Sequence, residues 1–269
     1  MRAELSFSHD NPFYLPFNYN HSLQGFIYNA LKLGDKSIAR RLHGNKKDIK
    51  FVFSKPLADG KKGKGWKADK KGIFVKSRCF RIYFSTPEPW IFSAFIDGIF
   101  KLEGIKLFGK TFHLNHVRTF KEPEKLSNIP LKTLSPINVF INNVPNGAKT
   151  WDLSPIQPEK SPFRNEPELW KKFLLRNLHE KYFLLHGEWY EGELDIELLD
   201  KPKPKQSRFE IKHIVRYNPK IKKHLLDSIY VRGWDLGIKL YGEDEILRVA
   251  YELGLGMRNS LGFGMIEVM

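Results

Sequence analysis

The stretch 246–269, ILRVAYELGLGMRNSLGFGMIEVM, places a helix, a glycine-rich segment and a strand in succession at the end of the chain. Four glycines fall within residues 254–264, where glycine allows positive φ and a close approach of the backbone to a ligand. The backbone N–H groups of such a loop suit phosphate oxygens, and Arg258 adds a positive charge. The plainer alternative is a turn in which Gly254 ends the helix. The apolar stripe of that helix is Ile246, Val249, Ala250 and Leu253.

The residues before position 123 show strand and helix patterns in the order of one small fold. Residues 20–34 carry apolar side chains at helical spacing, with Asn20 as the expected N-cap. Residues 61–71 are rich in glycine and lysine, which predicts a hairpin or a mobile loop. The order strand, helix, strand, strand, helix, strand is that of a ferredoxin-like unit. The expected strands are 1–8, 51–54, 73–86, 106–108 and 111–120, and the expected helices are 20–34 and 87–101.

The same order recurs after a polar, proline-containing linker at 123–130. We therefore predict an α+β protein of two tandem ferredoxin-like (RRM-like, βαββαβ) domains, 1–122 and 131–269, with the glycine-rich loop 254–264 near the C-terminus. The expected elements of the second domain are a strand at 131–142, a helix at 167–185, strands at 194–199 and 208–217, an extra hairpin at 228–241, the helix before Gly254 and a closing strand at 263–269.

The composition points to a polyanionic partner. The 269 residues include 45 Lys and Arg against 30 Asp and Glu, a formal net charge of +15. Nucleic acid, an acidic membrane surface or an acidic protein would each fit this excess, and charge alone does not choose among them. Hydrophobic residues make up 41% of the chain, which is enough for a sizeable core.

The cysteine and histidine content limits the chemistry. The single cysteine, Cys79, excludes an internal disulfide and a cysteine-based zinc site. The nine His show no HExxH motif and no cluster with Asp at metal spacing, and the glycine pattern lacks the strand–loop–helix order of a dinucleotide site, so neither a metal nor another cofactor is expected. The N-terminus reads as a strand rather than a signal peptide, and no apolar run reaches bilayer length. We expect a soluble, cytoplasmic protein with no membrane partner.

The glycine-rich segment resembles the loop that closes RAMP-superfamily proteins of CRISPR systems. The match is strongest to the repeat-processing endoribonuclease branch, often called Cas-six, in which G-x-G-x-x-x-S-x-G-x-G recurs. The resemblance implies tandem ferredoxin-like domains, in agreement with the element order. Further matches follow in family order across nearly the whole chain, at Asn18–His21, Leu23–Asn29, Leu42–His43, Phe51–Ser54 and Thr133–Pro136.

The chemistry that the resemblance implies is RNA cleavage without a metal. Such cleavage needs a proton taken from the 2′-OH, a proton given to the 5′-oxygen, and positive charge at the phosphate. Tyr28 and His43 match the family's Tyr on the first helix and His before the second strand. The position that corresponds to the family's lysine falls on Ile49. The nearby Lys50 is therefore favoured, and Lys47 is the alternate. The resemblance thus assigns proton transfer mainly to His43, with Tyr28 its partner and Lys50 the stabiliser of the phosphate.

The same residues have plainer interpretations when they are taken alone. Tyr28 lies off the apolar stripe of its helix, which also fits a boundary tyrosine packed at the edge of the core. His43 fits a solvated side chain or a local cap at a helix end. Lys47 and Lys50 belong to a lysine run, which fits a solvated face.

Further residues are expected to bind RNA along the groove between the two domains. Single-stranded RNA is held by backbone charge and by base stacking on aromatic or Arg side chains. The plainer alternatives are solubility for the charged residues and core packing for Trp234. The candidates are Lys203, Lys205, Arg208, Lys212, Arg232, Trp234, Gly256, Arg258, Asn259 and Ser260.

The resemblance therefore implies a metal-independent endoribonuclease that binds CRISPR repeat RNA and cuts the precursor transcript into guide RNAs. The ends would be a 2′,3′-cyclic phosphate and a 5′-OH. Because the lysine does not map cleanly, a non-catalytic repeat-RNA-binding protein of the same fold is the main alternative. A structural subunit of a CRISPR complex and a generic RRM-like protein are two others. A homodimer and association with a CRISPR effector complex are left open.

Overall fold

Helices and strands alternate along the chain in a mixed α/β fold. The computed structural model describes residues 1–44, 51–70, 72–142, 150–159, 161–200, 209–218 and 223–269, without the side chains of 43, 44, 209–218 and 223–230. The first part contains β1 (Arg2–Ser8), β2 (Phe13–Leu15), α1 (Asn20–Gly34), α2 (Lys36–Gly44), β3 (Val52–Phe53), β4 (Leu57–Ala58), β5 (Trp66–Ala68), β6 (Ile73–Val75), β7 (Cys79–Ser85), α3 (Pro89–Phe100), β8 (Ile105–Leu107) and β9 (Lys110–Phe120).

The second part continues the same alternation. It contains β10 (Pro130–Thr133), β11 (Phe140–Asn142), β12 (Thr150–Asp152), α4 (Leu169–His186), β13 (Asp195–Leu198), β14 (Phe209–Asn218), β15 (Lys223–Val231), β16 (Gly237–Tyr241), α5 (Asp244–Leu253), a 3-10 turn at Asn259–Leu261 and β17 (Ile266–Val268).

The main sheet of the first part is antiparallel, in the order β3-β7-β1-β9-β8, with β4 also paired to β7. Because side chains alternate along a strand, Leu5 and Phe7 of β1 point into a core that they share with α1 and α3. The two helices pack closely at Gly98, where a Cβ would lie 1.7 Å from the carbonyl oxygen of Ala30. Only glycine permits this approach.

The main sheet of the second part has the order β13-β16-β10-β17, and its strands are antiparallel. When four neighbouring strands of each sheet are numbered along the chain, both sheets have the order second, third, first, fourth. In the first part these strands are β3, β7, β1 and β9. The helices α4 and α5 cover this sheet with a second core. The buried residues of that core include Leu131, Trp170, Leu174, Ile238, Ile246 and Ala250.

One expected element of the second part is wrong. The sequence predicted strands at 194–199 and 208–217 and an extra hairpin at 228–241, but that hairpin does not form. In the structure β13 pairs with β16, whereas β14 and β15 form a separate two-stranded ribbon. Alternation along 209–217 identifies a strand, but it carries no information about which distant strand becomes its partner.

Other expected strands are shorter than the sequence suggested. The run 73–86 is broken into β6 and β7 by a turn at which Arg78 adopts a φ of 60°. The first piece joins β2 and β5 in a three-stranded accessory sheet, so 61–71 contains a strand. The run 131–142 is likewise split, because β11 leaves the main sheet and pairs with β12.

The two parts meet along a buried seam. The guanidinium of Arg2 is buried there and donates to the carbonyl oxygens of Ile266 at 2.8 Å and Tyr251 at 2.6 Å. These contacts join β1 of the first part to α5 and β17 of the second part. The apolar part of the seam is Val52, Tyr83, Leu134 and Met265.

Candidate active site

Tyr28 lies half-buried on the side of α1 that faces α2. Its ring packs edge-on against Phe51, with the ring centroids 5.6 Å apart. Burial raises the pKa of the Tyr28 phenol above its ordinary value. A phenol is already protonated at neutral pH and this shift keeps it so, and Tyr28 can therefore donate a hydrogen bond or a proton.

A groove of about 290 Å³ separates α1 from α2 beside Tyr28. The exposed side chains of Lys32, Lys36 and Arg40 line it mainly with their carbon chains and carry positive charges at their ends. Such a group of charges next to a phenol suits an anionic oxygen, as on a phosphate. Sequence reasoning missed these cations as site residues. The available signal was their spacing, because Lys32 follows Tyr28 by one helical turn and Arg40 follows Lys36 by one turn.

His43 is the penultimate residue of α2, and its side chain lies outside the described part of the chain. Its position is one helical turn beyond Ala39, which lines the groove. Lys47 and Lys50 lie outside the described residues altogether. The catalytic roles of these three residues therefore stay predictions.

The segment 254–264 packs against the start of α1. The side-chain amide of Asn20 donates to the carbonyl oxygen of Leu261 at 2.5 Å, and that of Gln24 donates to Ser260 at 3.0 Å. The expectation that Asn20 caps the helix is wrong, because no side chain makes the cap hydrogen bond. The Asn20 amide is used for a contact that spans the whole chain, which a local cap pattern cannot reveal.

The segment also has an internal hydrogen-bond network. The side-chain amide of Asn259 donates to the carbonyl oxygens of Leu255 at 3.2 Å and Phe263 at 3.0 Å. The backbone has positive φ at all four glycines and at Arg258. The tightest position is Gly264, where a Cβ would lie 1.8 Å from the Leu255 carbonyl oxygen. The glycines thus allow the segment to fold onto itself.

Lys181 reaches the segment from α4. Its ammonium donates to the carbonyl oxygens of Gly254 at 2.5 Å and Gly256 at 2.7 Å. Burial lowers the pKa of Lys181 to about 7. Because Gly254 is the C-cap of α5, this contact satisfies carbonyls at a helix end. Sequence reasoning missed Lys181, which no local motif distinguishes.

Arg258 is engaged inside the protein. Its guanidinium donates to the side-chain oxygens of Asn138 at 2.9 Å and Asp152 at 3.2 Å. It also lies 4.1 Å from the centre of the Phe140 ring. The Arg258 charge is therefore balanced by Asp152. RNA contacts by Arg258 and by its neighbours Gly256, Asn259 and Ser260 stay predictions.

Two other expected RNA contacts lie close to this network. Arg232 is exposed, and its backbone N–H donates to Asp152 at 2.7 Å. Trp234 is half-buried against the second core, and its indole N–H donates to the Leu153 carbonyl at 3.2 Å. Of the remaining candidates, Lys203, Lys205 and Arg208 lie outside the described residues, and Lys212 lies in β14 with its side chain outside them.

Within the described ranges, no three His, Cys, Asp or Glu side chains gather as a metal-binding group. Over those ranges, too, the helices are all too short or too polar to cross a membrane. Metal independence stays a prediction, which cleavage in the presence of a chelator tests.

The fold and the groove define an α/β protein of two similarly ordered halves with a cationic site beside a phenol. Two family models match it: "CRISPR-associated protein Cas6, N-terminal" over residues 14–118, and "CRISPR associated protein Cas6, C-terminal" over 120–268. The chain belongs to the Cas6 family, which confirms the resemblance seen in the sequence.

Named relatives and solved structures span nearly the whole chain. The CRISPR-associated endoribonuclease Cas6 of Pyrococcus furiosus is 32% identical, over 96% of this chain and 85% of the relative. The CRISPR-associated endoribonuclease Cas6 1 of Methanocaldococcus jannaschii is 28% identical, over 99% and 92%. A solved "CRISPR associated protein Cas6" has a TM-score of 0.76 at 27% identity, over 100% and 99% of the two chains. "An RAMP protein binding different RNA substrates" has a TM-score of 0.79 at 26% identity, with the same coverage.

Proposed function

We propose that this protein is an endoribonuclease that binds CRISPR repeat RNA and cuts the precursor transcript into guide RNAs. The observation that carries the proposal is the series Asn20, Gln24, Tyr28 and Lys32, spaced by one turn along α1. The first two hold the segment 254–264, and the last two line the cationic groove. A strand of RNA that touches this segment is led along α1 to the Tyr28 phenol.

In the proposed reaction a 2′-hydroxyl of the RNA is the nucleophile, and side chains of the protein transfer the protons. The 2′-oxygen attacks the adjacent phosphorus and loses its proton, and the 5′-oxygen leaves after gaining one, so that a 2′,3′-cyclic phosphate and a 5′-OH result. His43 is the main proton-transfer group, and Tyr28 is its partner. Lys50, or Lys47 as the alternate, stabilises the charge on the phosphate. Neither metal nor cofactor takes part.

The support for these roles is positional. The Tyr28 phenol is protonated at neutral pH, and burial moves its pKa further above neutrality. Position 43 follows Ala39 by one turn on the same helix, and Ala39 lines the groove with Tyr28. Lys32, Lys36 and Arg40 provide a positive surround that attracts the phosphate backbone.

We further infer that the chain consists of two ferredoxin-like domains, 1–122 and 131–269, joined by the linker 123–130. The shared strand order of the two main sheets supports this assignment. The two separate hydrophobic cores and the two family models, which meet between residues 118 and 120, support the boundary.

The proposed RNA path runs from the groove over the segment 254–264 to the hairpin of β14 and β15. It would use the expected contacts at Lys203, Lys205, Arg208, Lys212, Arg232, Trp234, Gly256, Arg258, Asn259 and Ser260. A homodimer and association with a CRISPR effector complex also stay predictions. Size-exclusion chromatography of the protein with and without repeat RNA tests the dimer.

The decisive experiment is incubation of the pure protein with end-labelled repeat RNA in a chelator, followed by mapping of the product ends. We expect one cut that leaves a 2′,3′-cyclic phosphate and a 5′-OH. A strict requirement for a divalent metal, or 5′-phosphate ends, would overturn the mechanism. The second candidate, a repeat-RNA-binding protein that does not cut, is favoured by the structural similarity to the RAMP protein that binds different RNA substrates. It predicts bound but intact RNA.

A further inference from the structure

The accessory sheet of β2, β6 and β5 has an outer face that the proposed active site does not use. Its inner face joins the first core through Phe13, Leu15 and Val75, which are buried. The outer face carries Tyr14 and Phe74, which lie opposite each other on paired strands. Their ring centroids are 5.0 Å apart, and the rings are tilted by 45°. Tyr14 is 39% exposed and Phe74 is half-buried, so the Tyr14 ring faces solvent beside the ring of Phe74.

Lysines surround this aromatic pair. Lys67 lies opposite Phe74 on the third strand, so Tyr14, Phe74 and Lys67 form one row across the same face. The phenol of Tyr14 donates to Asp69 at 2.9 Å, which holds the ring in place. Asp69 is the only acidic residue in the sequence between 61 and 76. The exposed lysines of the same stretch include Lys61, Lys62, Lys64, Lys67, Lys70 and Lys76.

A lysine run alone fits a solvated surface, and an exposed ring alone fits the edge of a core. The combination has a more specific meaning, because single-stranded nucleic acid is held by bases stacked on aromatic rings and by phosphates on nearby cations. Every base has a flat face, so a stacking surface of this kind needs no particular sequence.

We propose that the outer face of the accessory sheet binds a single-stranded stretch of the same transcript, outside the cleaved bond. This inference rests on the proposed function. The chain runs from β2 through Phe17, 47% exposed, directly into α1, whose first turns hold the segment 254–264. In addition to the proposed path toward β14 and β15, an RNA strand that follows this stretch of chain from the segment past Phe17 would reach the aromatic pair.

The test compares the affinity of three double variants for repeat RNA at fixed salt. Tyr14→Leu/Phe74→Leu removes the rings but keeps apolar side chains. Lys62→Gln/Lys67→Gln removes two charges from the surface. Lys125→Gln/Lys172→Gln removes two exposed lysines elsewhere and is the matched control. We expect the first two variants to raise the Kd about tenfold, near the low end of what one stacked base contributes, and the control to raise it less than twofold.

The outcomes separate this inference from the proposed function. The rate of cleavage at saturating protein should stay at the wild-type value in all three variants, because the surface lies outside the site of chemistry. Wild-type protein that binds repeat RNA without cutting it refutes the nuclease but leaves the affinity comparison intact. Equal affinities of surface and control variants overturn the inference. Weaker binding by the lysine variant alone also overturns the inference, because rings that hold a base must contribute to the affinity. The lysine variant changes only exposed side chains, so we expect it to fold.

Discussion

The groove beside Tyr28 and the glycine-rich segment are both built on α1, but they use it in opposite ways. At the start of the helix, the side-chain amides of Asn20 and Gln24 donate to backbone carbonyls of the glycine-rich segment. Two turns after Asn20, the helix borders a groove whose cations are exposed. The segment that looks most like a ligand loop in the sequence is thus largely engaged with the protein. Glycine content thus marks close packing in this protein, whereas exposed charge marks the place that we propose for the substrate.

We expect changes in the groove to alter the rate of cleavage and changes in the segment to alter stability. The largest effect is expected for His43→Ala, which should lower the rate of repeat-RNA cleavage by roughly 10²–10⁴-fold, the contribution of a general acid–base group. The melting temperature should not change. Single-turnover cleavage measures the rate, with His113→Ala, an exposed histidine of β9, as the control. Undiminished cutting by His43→Ala would refute the assignment.

The next largest effect is expected in the segment. Gly264→Ala should destabilise the protein by about 3 kcal/mol, because the new Cβ meets a backbone oxygen that cannot move aside. Gly187→Ala is the matched control, since Gly187 has nearly the same φ, 80° against 79°, but open space around a Cβ. It should cost about 1 kcal/mol from the backbone conformation alone. Urea unfolding measures both, and equal losses would contradict the close packing.

A smaller effect on rate is expected for Tyr28→Phe. Phenylalanine keeps the packing on Phe51 and removes only the hydroxyl. The cleavage rate should fall roughly tenfold to hundredfold, with little change in Kd, because the hydroxyl acts on the reacting atoms. Tyr241→Phe, in the sheet of the second part, should leave the rate unchanged. A larger effect on Kd than on rate would make Tyr28 a binding residue instead.

The smallest expected effect is a dependence of the free energy of unfolding on pH that is due to Lys181. Its pKa is about 7 in the folded protein against an ordinary 10.5, so the unfolded chain binds the proton more tightly. Stability should therefore rise with pH between about 7 and 10.5, by an amount limited by the part of Lys181 that stays exposed. Urea midpoints at neutral and alkaline pH should show a flatter slope for Lys181→Met than for Lys172→Met, an exposed lysine of the same helix. Identical slopes would contradict the burial of the ammonium.

The sequence predicted local structure well and long-range pairing poorly. The bounds predicted for α1 are confirmed. They were predictable because the apolar stripe of this helix repeats with the helical period and stops at both ends. The hairpin expected at 228–241 was wrong. Its first strand belongs to the ribbon of β14 and β15, and its second strand, β16, pairs with β13, which ends 39 residues before β16 begins. Tyr28 was identified from the family pattern and from its place off the apolar stripe. Lys36 and Arg40 were missed, because their role depends on how α2 lies against α1.

The sequence by itself determined the mixed α/β class, the family and the residues for which catalytic roles are proposed, because helical periods, glycine positions and motif spacing are properties of neighbouring residues. The tertiary structure alone decided which strands share a sheet, that Asn20 and Gln24 hold the glycine-rich segment, and that three cations gather beside Tyr28. These arrangements join residues that are far apart in the chain, and they form only when the two cores and the seam between them are buried together.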